Sequence, residues 1–301
     1  MDDQMSKNFV ATILLLIGTA FWGITFVYVK EGISIINLYT FLSIRFIIGA
    51  ALLALIFIHR MKNFDVEIIK YGIFLGMVLA FSYIAQTVGL QYTSASKAAF
   101  ITGLSVVFVP LFLSILKKKP PTVNNILAVF VATSGLAVLT LNSGFSINTG
   151  DLWVFLCAIL FAIYIILVGR YTRIFESIKF TVIQLVTVAV FTGIIAVSMG
   201  EYVMPRGYVV WHAILFCAVF ATAFMYAIQN QFQKFISEVK AAIIFSFEPL
   251  FAAMAAYYYL NEQITFRIVI GGLLIFTGMI ISEVRVNFWI FRKAGVKKTP
   301  S

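Results

Sequence analysis

Apolar residues fill ten long stretches of the chain, and polar residues are concentrated in the short segments between them. A helix needs about 20 apolar residues to cross a membrane at a rise of ~1.5 Å per residue. The pattern therefore predicts ten membrane-spanning helices, each antiparallel to the next because the connecting loops are short. The predicted spans cover residues 9–29, 35–58, 68–90, 98–116, 123–141, 152–169, 180–199, 208–228, 241–260 and 264–281.

The second half of the chain repeats the first at an offset of 143 residues. The polar matches matter most, since two hydrophobic segments share apolar residues easily. An odd number of spans per half would place the two copies in opposite orientations, as in many secondary transporters. The matches are Tyr83 with Tyr226, Gln86 with Gln229, Ser94 with Ser237, Lys97-Ala98-Ala99 with Lys240-Ala241-Ala242, Phe108 with Phe251, and Gly135 with Gly278.

A polar, uncharged segment at residues 142–150 separates the halves. We predict a first five-helix repeat over residues 1–145 and a second, inverted five-helix repeat over residues 146–291. A basic cytoplasmic tail is predicted over residues 292–301. The expected fold class is an all-α integral membrane protein, with ten transmembrane helices arranged as two inverted five-helix repeats.

Composition and charge narrow the function classes. The chain is 62% hydrophobic and 11% charged, against roughly 25% charged in a typical soluble domain. The net charge is +10, but the basic residues lie in short loops rather than on one patch, so no nucleic-acid partner is expected. Seventeen of the 22 Lys and Arg fall at the termini and in the even-numbered loops. This bias predicts a multi-pass protein of the cytoplasmic (inner or plasma) membrane with both termini cytoplasmic.

Residues for catalysis or metal binding are scarce. Cys157 and Cys217 fall inside apolar stretches, and His59 and His212 are far apart, without Cys or His at ligand spacing. Paired acids and phosphate-binding loops are not apparent either. We therefore expect no enzyme, no catalytic residue, no cofactor and no metal. The expected partners are a small-molecule metabolite and membrane lipids, for a monomer or a homodimer.

Two ionisable residues lie deep within predicted spans, where a charge is costly and suggests function. Arg45 is about eight residues from the outer end of span two, and Glu248 about eight from the inner end of span nine, or ~12 Å each. One interpretation is structural: a mutual salt bridge, or Arg45 bonded to backbone carbonyls. The other is functional, with Arg45 contacting a substrate anion and Glu248 carrying a coupling proton. Pro249 predicts an irregular helix beside Glu248, because proline removes a backbone donor.

Further candidates are uncharged. Tyr83 and Gln86 are three residues apart and share a helix face, and Tyr226 and Gln229 repeat the pattern. They either line a path for a polar or zwitterionic cargo or form interhelical hydrogen bonds. Trp22, which shares a face with a threonine, either stacks on cargo or anchors at the interface. The predicted substrate-binding or pathway residues are Trp22, Thr25, Arg45, Tyr83, Gln86, Tyr226, Gln229 and Glu248.

Five stretches resemble motifs of a known family. Residues 20–26 (AFWGITF) resemble its "WG-x-x-F" opening, and residues 43–46 (SIRF) its intramembrane "R-F". Residues 89–101 (GLQYTSASKAAFI) resemble its "A-L-x-Y-T-S-A-x-x-A-A-x-I" stretch. Residues 247–251 (FEPLF) and 260–263 (LNEQ) resemble its "L-E-P-V-F … L-G-E". The resemblance is to the EamA-type members of the drug/metabolite transporter superfamily.

The resemblance implies a ten-helix carrier with a central cavity that works by alternating access. It leaves the cargo open, since the superfamily moves amino acids, sugars, amines, vitamins and nucleotide derivatives. The first expectation is export of a small polar metabolite, an amino acid or related compound. The alternatives are a drug or amine exporter of hydrophobic cations and a metabolite importer. A cation exporter should show an unpaired intramembrane acid, whereas Arg45 is in a position to neutralise Glu248.

Overall fold

The computed structural model describes residues 2–93, 95–140, 148–260 and 266–283, and this part of the chain is helical with short connections. All ten predicted spans appear as helices. They are α1 (Asp2–Ile35), α2 (Leu38–Ile56), α3 (Val66–Tyr92), α4 (Ala95–Gly103 and Ser105–Lys117), α5 (Val123–Thr140), α6 (Thr149–Tyr171), α7 (Ser177–Ser198), α8 (Tyr208–Phe235), α9 (Glu238–Phe245 and Glu248–Leu260) and α10 (Phe266–Glu283).

Eight of these helices are long and apolar enough to cross a membrane by length and composition, and α5 and α10 have 18 residues each. Four of the predictions concern residues outside those that the structure describes. These are the Ser94 match, the boundary between residues 145 and 146, the motif residues 261–263 and the basic tail at 292–301. The domain boundaries therefore stay predictions.

Side-chain caps set the starts of several helices. Asn148 and Asp151 form a capping box at the start of α6, in which each side chain accepts a hydrogen bond from the other residue's backbone N–H, at 3.0 and 2.8 Å. The Asn37 side chain caps α2 by accepting from the Tyr39 N–H. The Ser237 hydroxyl caps α9 in the same way. Polar residues at the ends of the apolar stretches thus fix where these three helices begin.

The two halves interlock reciprocally. Helix α1 packs against α8 and α9 of the second half, and its counterpart α6 packs against α3 and α4 of the first half. Helix α2 packs against its own counterpart α7, and α5 against its own counterpart α10. This pairing is what a pseudo-two-fold axis between inverted repeats requires. The core of the molecule therefore contains helices from both halves.

The contact between α5 and α10 shows the symmetry at atomic detail. A Cβ added at Gly135 would lie 2.6 Å from the carbonyl oxygen of Gly271, and one added at Gly278 would lie 2.8 Å from that of Ala128. Gly135 and Gly278 are repeat-related, and so are Ala128 and Gly271. The two close approaches are thus one backbone contact made twice, and each depends on glycine.

Helices α4 and α9 are both interrupted near their middle. The break in α4 is at Leu104, and the break in α9 is at Ser246–Phe247, so the two breaks occur at repeat-related positions. Pro249 lies in the first turn after the second break, where its missing N–H costs no hydrogen bond. The predicted irregularity beside Glu248 is confirmed. The break in α4 occurs although Val106 occupies the position equivalent to Pro249, so proline is not required for it.

Candidate functional site

A small cavity lies between the two halves, next to the breaks in α4 and α9. Its volume is about 30 Å³, enough for about two water molecules at ~10–15 Å³ each. An organic solute would need the helices to separate further, so the structure describes a contracted form of the site. Six of the eight predicted pathway residues line the cavity. The lining residues are Trp22, Thr25, Tyr83, Gln86, Thr102 and Ser105 from the first half, and Phe161, Ile165, Gln229, Phe245 and Glu248 from the second.

Most of the lining consists of repeat-related positions. At the 143-residue offset, Trp22 corresponds to Ile165, Gln86 to Gln229, Thr102 to Phe245 and Ser105 to Glu248. A cavity walled by pairs of equivalent positions lies on the pseudo-two-fold axis itself. The chemistry is not symmetric, however. Where the first half has two hydroxyl side chains, the second half has a phenyl ring and a carboxylate at the equivalent positions.

Trp22 forms part of the cavity wall rather than an anchor at the membrane surface. Its indole Nε1 donates to the Ala221 carbonyl at 3.0 Å, and its ring centroid lies 5.4 Å from that of Phe245. The Thr25 hydroxyl donates to the Trp22 carbonyl at 2.6 Å. Both residues are buried, so the interfacial-anchor interpretation of Trp22 is wrong. With its N–H occupied, Trp22 presents an aromatic surface to the cavity.

Arg45 lies behind the cavity wall. Its Nε donates to the Thr222 hydroxyl at 2.8 Å, and its Nη2 lies 3.4 Å from the Tyr83 hydroxyl. The guanidinium carbon is 4.9 Å from the centre of the Tyr83 ring, and the residue is 1% exposed. The positive charge of the Arg45 guanidinium is thus stabilised by hydroxyl groups and aromatic faces.

This arrangement corrects the structural expectation for the two deep charges. Among the described residues, the ion pairs are Arg60–Glu176 and Lys97–Asp151, and neither includes Arg45 or Glu248. Among the described residues, Arg45 bonds to two side-chain hydroxyls and not to backbone carbonyls. The physical reason is that Tyr83 lies between Arg45 and the cavity that Glu248 lines. Similar depth in the sequence did not mean that the side chains meet.

A π-helical segment in α8, Cys217–Phe224, supplies partners for buried donors of the first half. It provides the Thr222 hydroxyl to Arg45 and the Ala221 carbonyl to Trp22. The equivalent part of α3 is regular α-helix. Such wide turns are often found at functional sites, and no pattern in the sequence predicts this one.

The orientation of the Gln229 amide is fixed by a chain of hydrogen bonds. Gln233 Nε2 donates to the Ile165 carbonyl at 2.6 Å, so its Oε1 is the atom that accepts from Gln229 Nε2, at 2.9 Å. The Gln229 Oε1 atom is consequently the free end of the amide. It is buried without a hydrogen-bond partner, and an unsatisfied buried acceptor costs about 1–3 kcal/mol. Gln229, which lines the cavity, therefore has an acceptor that no protein group uses.

Sequence reasoning missed a buried polar network beside the cavity. The Tyr164 hydroxyl donates to Gln184 Oε1 at 2.7 Å, Gln184 Nε2 donates to Asn230 Oδ1 at 3.1 Å, and Asn230 Nδ2 donates to the Tyr226 carbonyl at 3.0 Å. On the other side, Gln86 Nε2 donates to a threonine hydroxyl at 3.2 Å. The signal available in the sequence was uncharged polar residues inside apolar spans; in the structure Tyr164, Gln184 and Asn230 are each 0% exposed.

Glu248 carries the only formal charge among the cavity-lining residues that the structure describes. It is 7% exposed and begins the second segment of α9, where the positive end of the helix dipole stabilises a carboxylate. Within the described part of the chain it has neither a hydrogen-bond nor an ion-pair partner. No group of three or more His, Cys, Asp or Glu suited to a metal occurs in that part either. The site is thus one carboxylate among polar and aromatic side chains.

A second polar cluster ties together one end of the bundle. Lys97 Nζ lies 2.6 Å from the Asp151 carboxylate, and the Thr93 hydroxyl donates to the same carboxylate at 2.8 Å. Lys30 Nζ donates to the Thr93 carbonyl at 2.7 Å. The cluster joins α1, α3 and α4 to the start of α6. It therefore joins the two halves at this end of the bundle.

Comparisons with known proteins agree with this architecture. The profile of the EamA-like transporter family matches residues 10–141 and again residues 148–283. An uncharacterized transporter of Archaeoglobus fulgidus is 29% identical over 280 residues, which is 93% of this chain and 88% of the relative. The uncharacterized transporter YyaM of Bacillus subtilis is 29% identical over 292 residues, covering 92% and 94%. A solved crystal structure superposes with a TM-score of 0.76 at 14% identity, covering 95% of this chain and 99% of that one, and shows the fold alone.

Proposed function

This chain belongs to the EamA-like transporter family, and from that premise we propose that it is a secondary carrier for a small polar organic metabolite. The proposed cargo class is an amino compound, either an amino acid or an amine without a carboxylate, and alternating access is the mechanism. The observation that carries the proposal is the cavity on the pseudo-two-fold axis, bounded by two broken helices. Discontinuous helices at the repeat interface are where carriers of this architecture bind their cargo.

The reciprocal packing of the halves supports alternating access. Because equivalent helices of the two halves surround the cavity, exchanging their packing would open it to the opposite face. Lys97 and Asp151 tie one end, and opening that end requires the pair to separate. Lys240, the repeat equivalent of Lys97, lies buried at the start of α9 at the other end. Each end therefore has a lysine at the junction between the halves.

We place the protein in the cytoplasmic membrane, with both termini on the cytoplasmic side. This orientation rests on the excess of Lys and Arg at the termini and in the even-numbered loops. The Lys97–Asp151 end then faces the exterior. Export is the proposed direction and rests on the family resemblance. The transport cycle that we propose contains no catalytic step and no cofactor.

A second candidate cargo, a hydrophobic cation, is favoured by one observation. Glu248 lines the cavity, and the residue expected to neutralise it, Arg45, is bonded elsewhere. A carboxylate in this position is able to bind a cationic group or, in the absence of cargo, a coupling proton. Glu248 is therefore also the proposed proton carrier.

Counterflow in proteoliposomes tests the carrier function. Vesicles loaded with an unlabelled mixture of amino acids and amines should take up labelled members of the mixture in a saturable way. Ser105→Trp, which fills the cavity, should abolish this uptake. Leu273→Trp, on an exposed face of α10, is the matched control and should retain it. Absence of saturable uptake, or equal uptake by the two variants, would refute the proposal.

A further inference from the structure

The cavity contains more specific chemistry than a general polar site. We propose that it holds a seat for the ammonium group of an organic amine, formed by the Glu248 carboxylate and Gln229 Oε1 between aromatic rings. The inference rests on the carrier function proposed above and names the substrate class of that site. A cargo with a free carboxylate is disfavoured by the same geometry.

The charge of the cavity favours a cationic guest. Among the described lining residues, Glu248 is the one with a formal charge, and it has no cationic partner in the described part of the chain. Arg45 is 1% exposed and bonded to Thr222 and Tyr83. A buried carboxylate without a partner is costly unless a cation or a proton joins it. A cationic guest meets that need directly.

The hydrogen-bonding groups of the cavity also favour an ammonium group. The Gln229 nitrogen is engaged by Gln233, its oxygen is buried without a hydrogen-bond partner, and the residue lines the cavity. The Glu248 carboxylate also only accepts hydrogen bonds when it is ionised. An ammonium group has three N–H donors for these acceptors. A carboxylate guest has no donor for either of them.

The aromatic wall of the cavity favours a cation with an apolar carbon skeleton. Trp22 and Phe245 have ring centroids 5.4 Å apart, and Tyr83 and Phe161 have centroids 5.7 Å apart. All four rings line the cavity. Aromatic faces attract cations, most strongly where water is excluded. The same rings provide apolar surface for the carbon skeleton of an amine.

Both acceptors of the seat, Gln229 and Glu248, belong to the second half. The position equivalent to Glu248 is Ser105, and the position equivalent to Phe245 is Thr102. The first half thus adds hydroxyls but no cation to the described lining. An amino acid would bring a carboxylate into a cavity that lacks a positive partner for it. The cavity therefore favours an amine without a carboxylate over an amino acid.

Four probes of similar size test the seat: phenethylamine, N-acetylphenethylamine, phenylalanine and 3-phenylpropanoate. Their binding to the purified full chain is measured by calorimetry and by thermal shift. Phenethylamine should bind, and the other three should bind at least tenfold more weakly. Glu248→Gln should weaken phenethylamine binding tenfold or more, and Gln229→Leu about threefold. Glu67→Gln, which removes an exposed carboxylate at the start of α3, should leave its affinity unchanged.

Comparable affinity for phenethylamine and its N-acetyl derivative would overturn the seat. So would unchanged affinity in Glu248→Gln, or no binding of phenethylamine by the folded wild-type protein. If Glu248→Gln does not fold, the wild-type series and Gln229→Leu decide the matter. The carrier function fails separately, in the counterflow assay with Ser105→Trp. If a neutral or zwitterionic solute shows saturable counterflow that Ser105→Trp abolishes, the carrier function stands and the proposed amine specificity is refuted.

Discussion

The Tyr226 hydroxyl donates a hydrogen bond to the Tyr83 hydroxyl at 2.8 Å, and these two residues are 143 positions apart in the chain. They are therefore the same residue of the two repeats. Equivalent residues meet each other only at a two-fold axis. The pair is buried beside the cavity, so the symmetry axis and the candidate site coincide.

The tyrosine pair predicts measurable coupling. Tyr83→Phe removes the acceptor for both Tyr226 and Arg45, whereas Tyr226→Phe removes one donor. We expect Tyr83→Phe to be the more destabilising change. The coupling in a double-mutant cycle should be about 0.6–2 kcal/mol, the usual size of an interhelical hydrogen bond. Unfolding in detergent measures both quantities, and strictly additive losses would contradict the bond.

The two deep charges should behave independently. Arg45→Met removes the guanidinium that bonds Thr222 and Tyr83, so it should reduce the yield of folded protein. Glu248→Gln should affect folding less, because no partner is left unsatisfied. The double variant should not recover the yield lost in Arg45→Met, since no ion pair joins the two residues in this structure. Recovery, quantified by gel filtration, would show that they pair in another conformation.

Asp151→Asn should loosen the end of the bundle that Lys97 and Asp151 close. The Lys97 side chain is 29% exposed and that of Asp151 is 7% exposed. The loss should therefore fall below the ~3–5 kcal/mol of a fully buried pair, at about 1–3 kcal/mol. The exposed pair Arg60–Glu176 provides the control, and Glu176→Gln should cost less than about 1 kcal/mol. Equal losses in thermal unfolding would mean that the Asp151 cluster has no special role.

Reporter fusions test the proposed orientation. A fusion after Ser301 should report the cytoplasm, and a fusion within residues 141–151 should report the exterior, because five spans separate the N-terminus from that link. An enzymatic reporter active on one side of the membrane is sufficient. If both fusions report the same compartment, the five-plus-five inversion is wrong.

The sequence predicts the helices well because crossing a membrane depends mainly on length and apolar content. It also predicts the repeat, since polar matches such as Gln86 with Gln229 stand out in apolar spans. The break in α9 follows from Pro249. The break in α4 at Leu104 has no proline at the equivalent position to announce it.

Side-chain partners are where the sequence is least informative. Arg45 and Glu248 have similar depths, yet rotation of each helix about its own axis decides what they meet, and depth does not fix rotation. The π-helical segment Cys217–Phe224 is a change of hydrogen-bond register that apolar residues do not signal. The network through Gln184 and Asn230 required knowing which helices are neighbours.

Access to the cavity from both faces of the membrane distinguishes alternating access from a static cavity. In a background with Cys157→Ala and Cys217→Ala, Ser105→Cys places one thiol at the cavity. Membrane-impermeant thiol reagents are then applied to right-side-out and inside-out vesicles. Alternating access predicts that this cysteine reacts from either face. Leu273→Cys lies on an exposed face of the apolar helix α10, which lipid would cover in the membrane, and should react from neither. Reaction of the Ser105→Cys thiol from one face alone would contradict alternating access through this cavity.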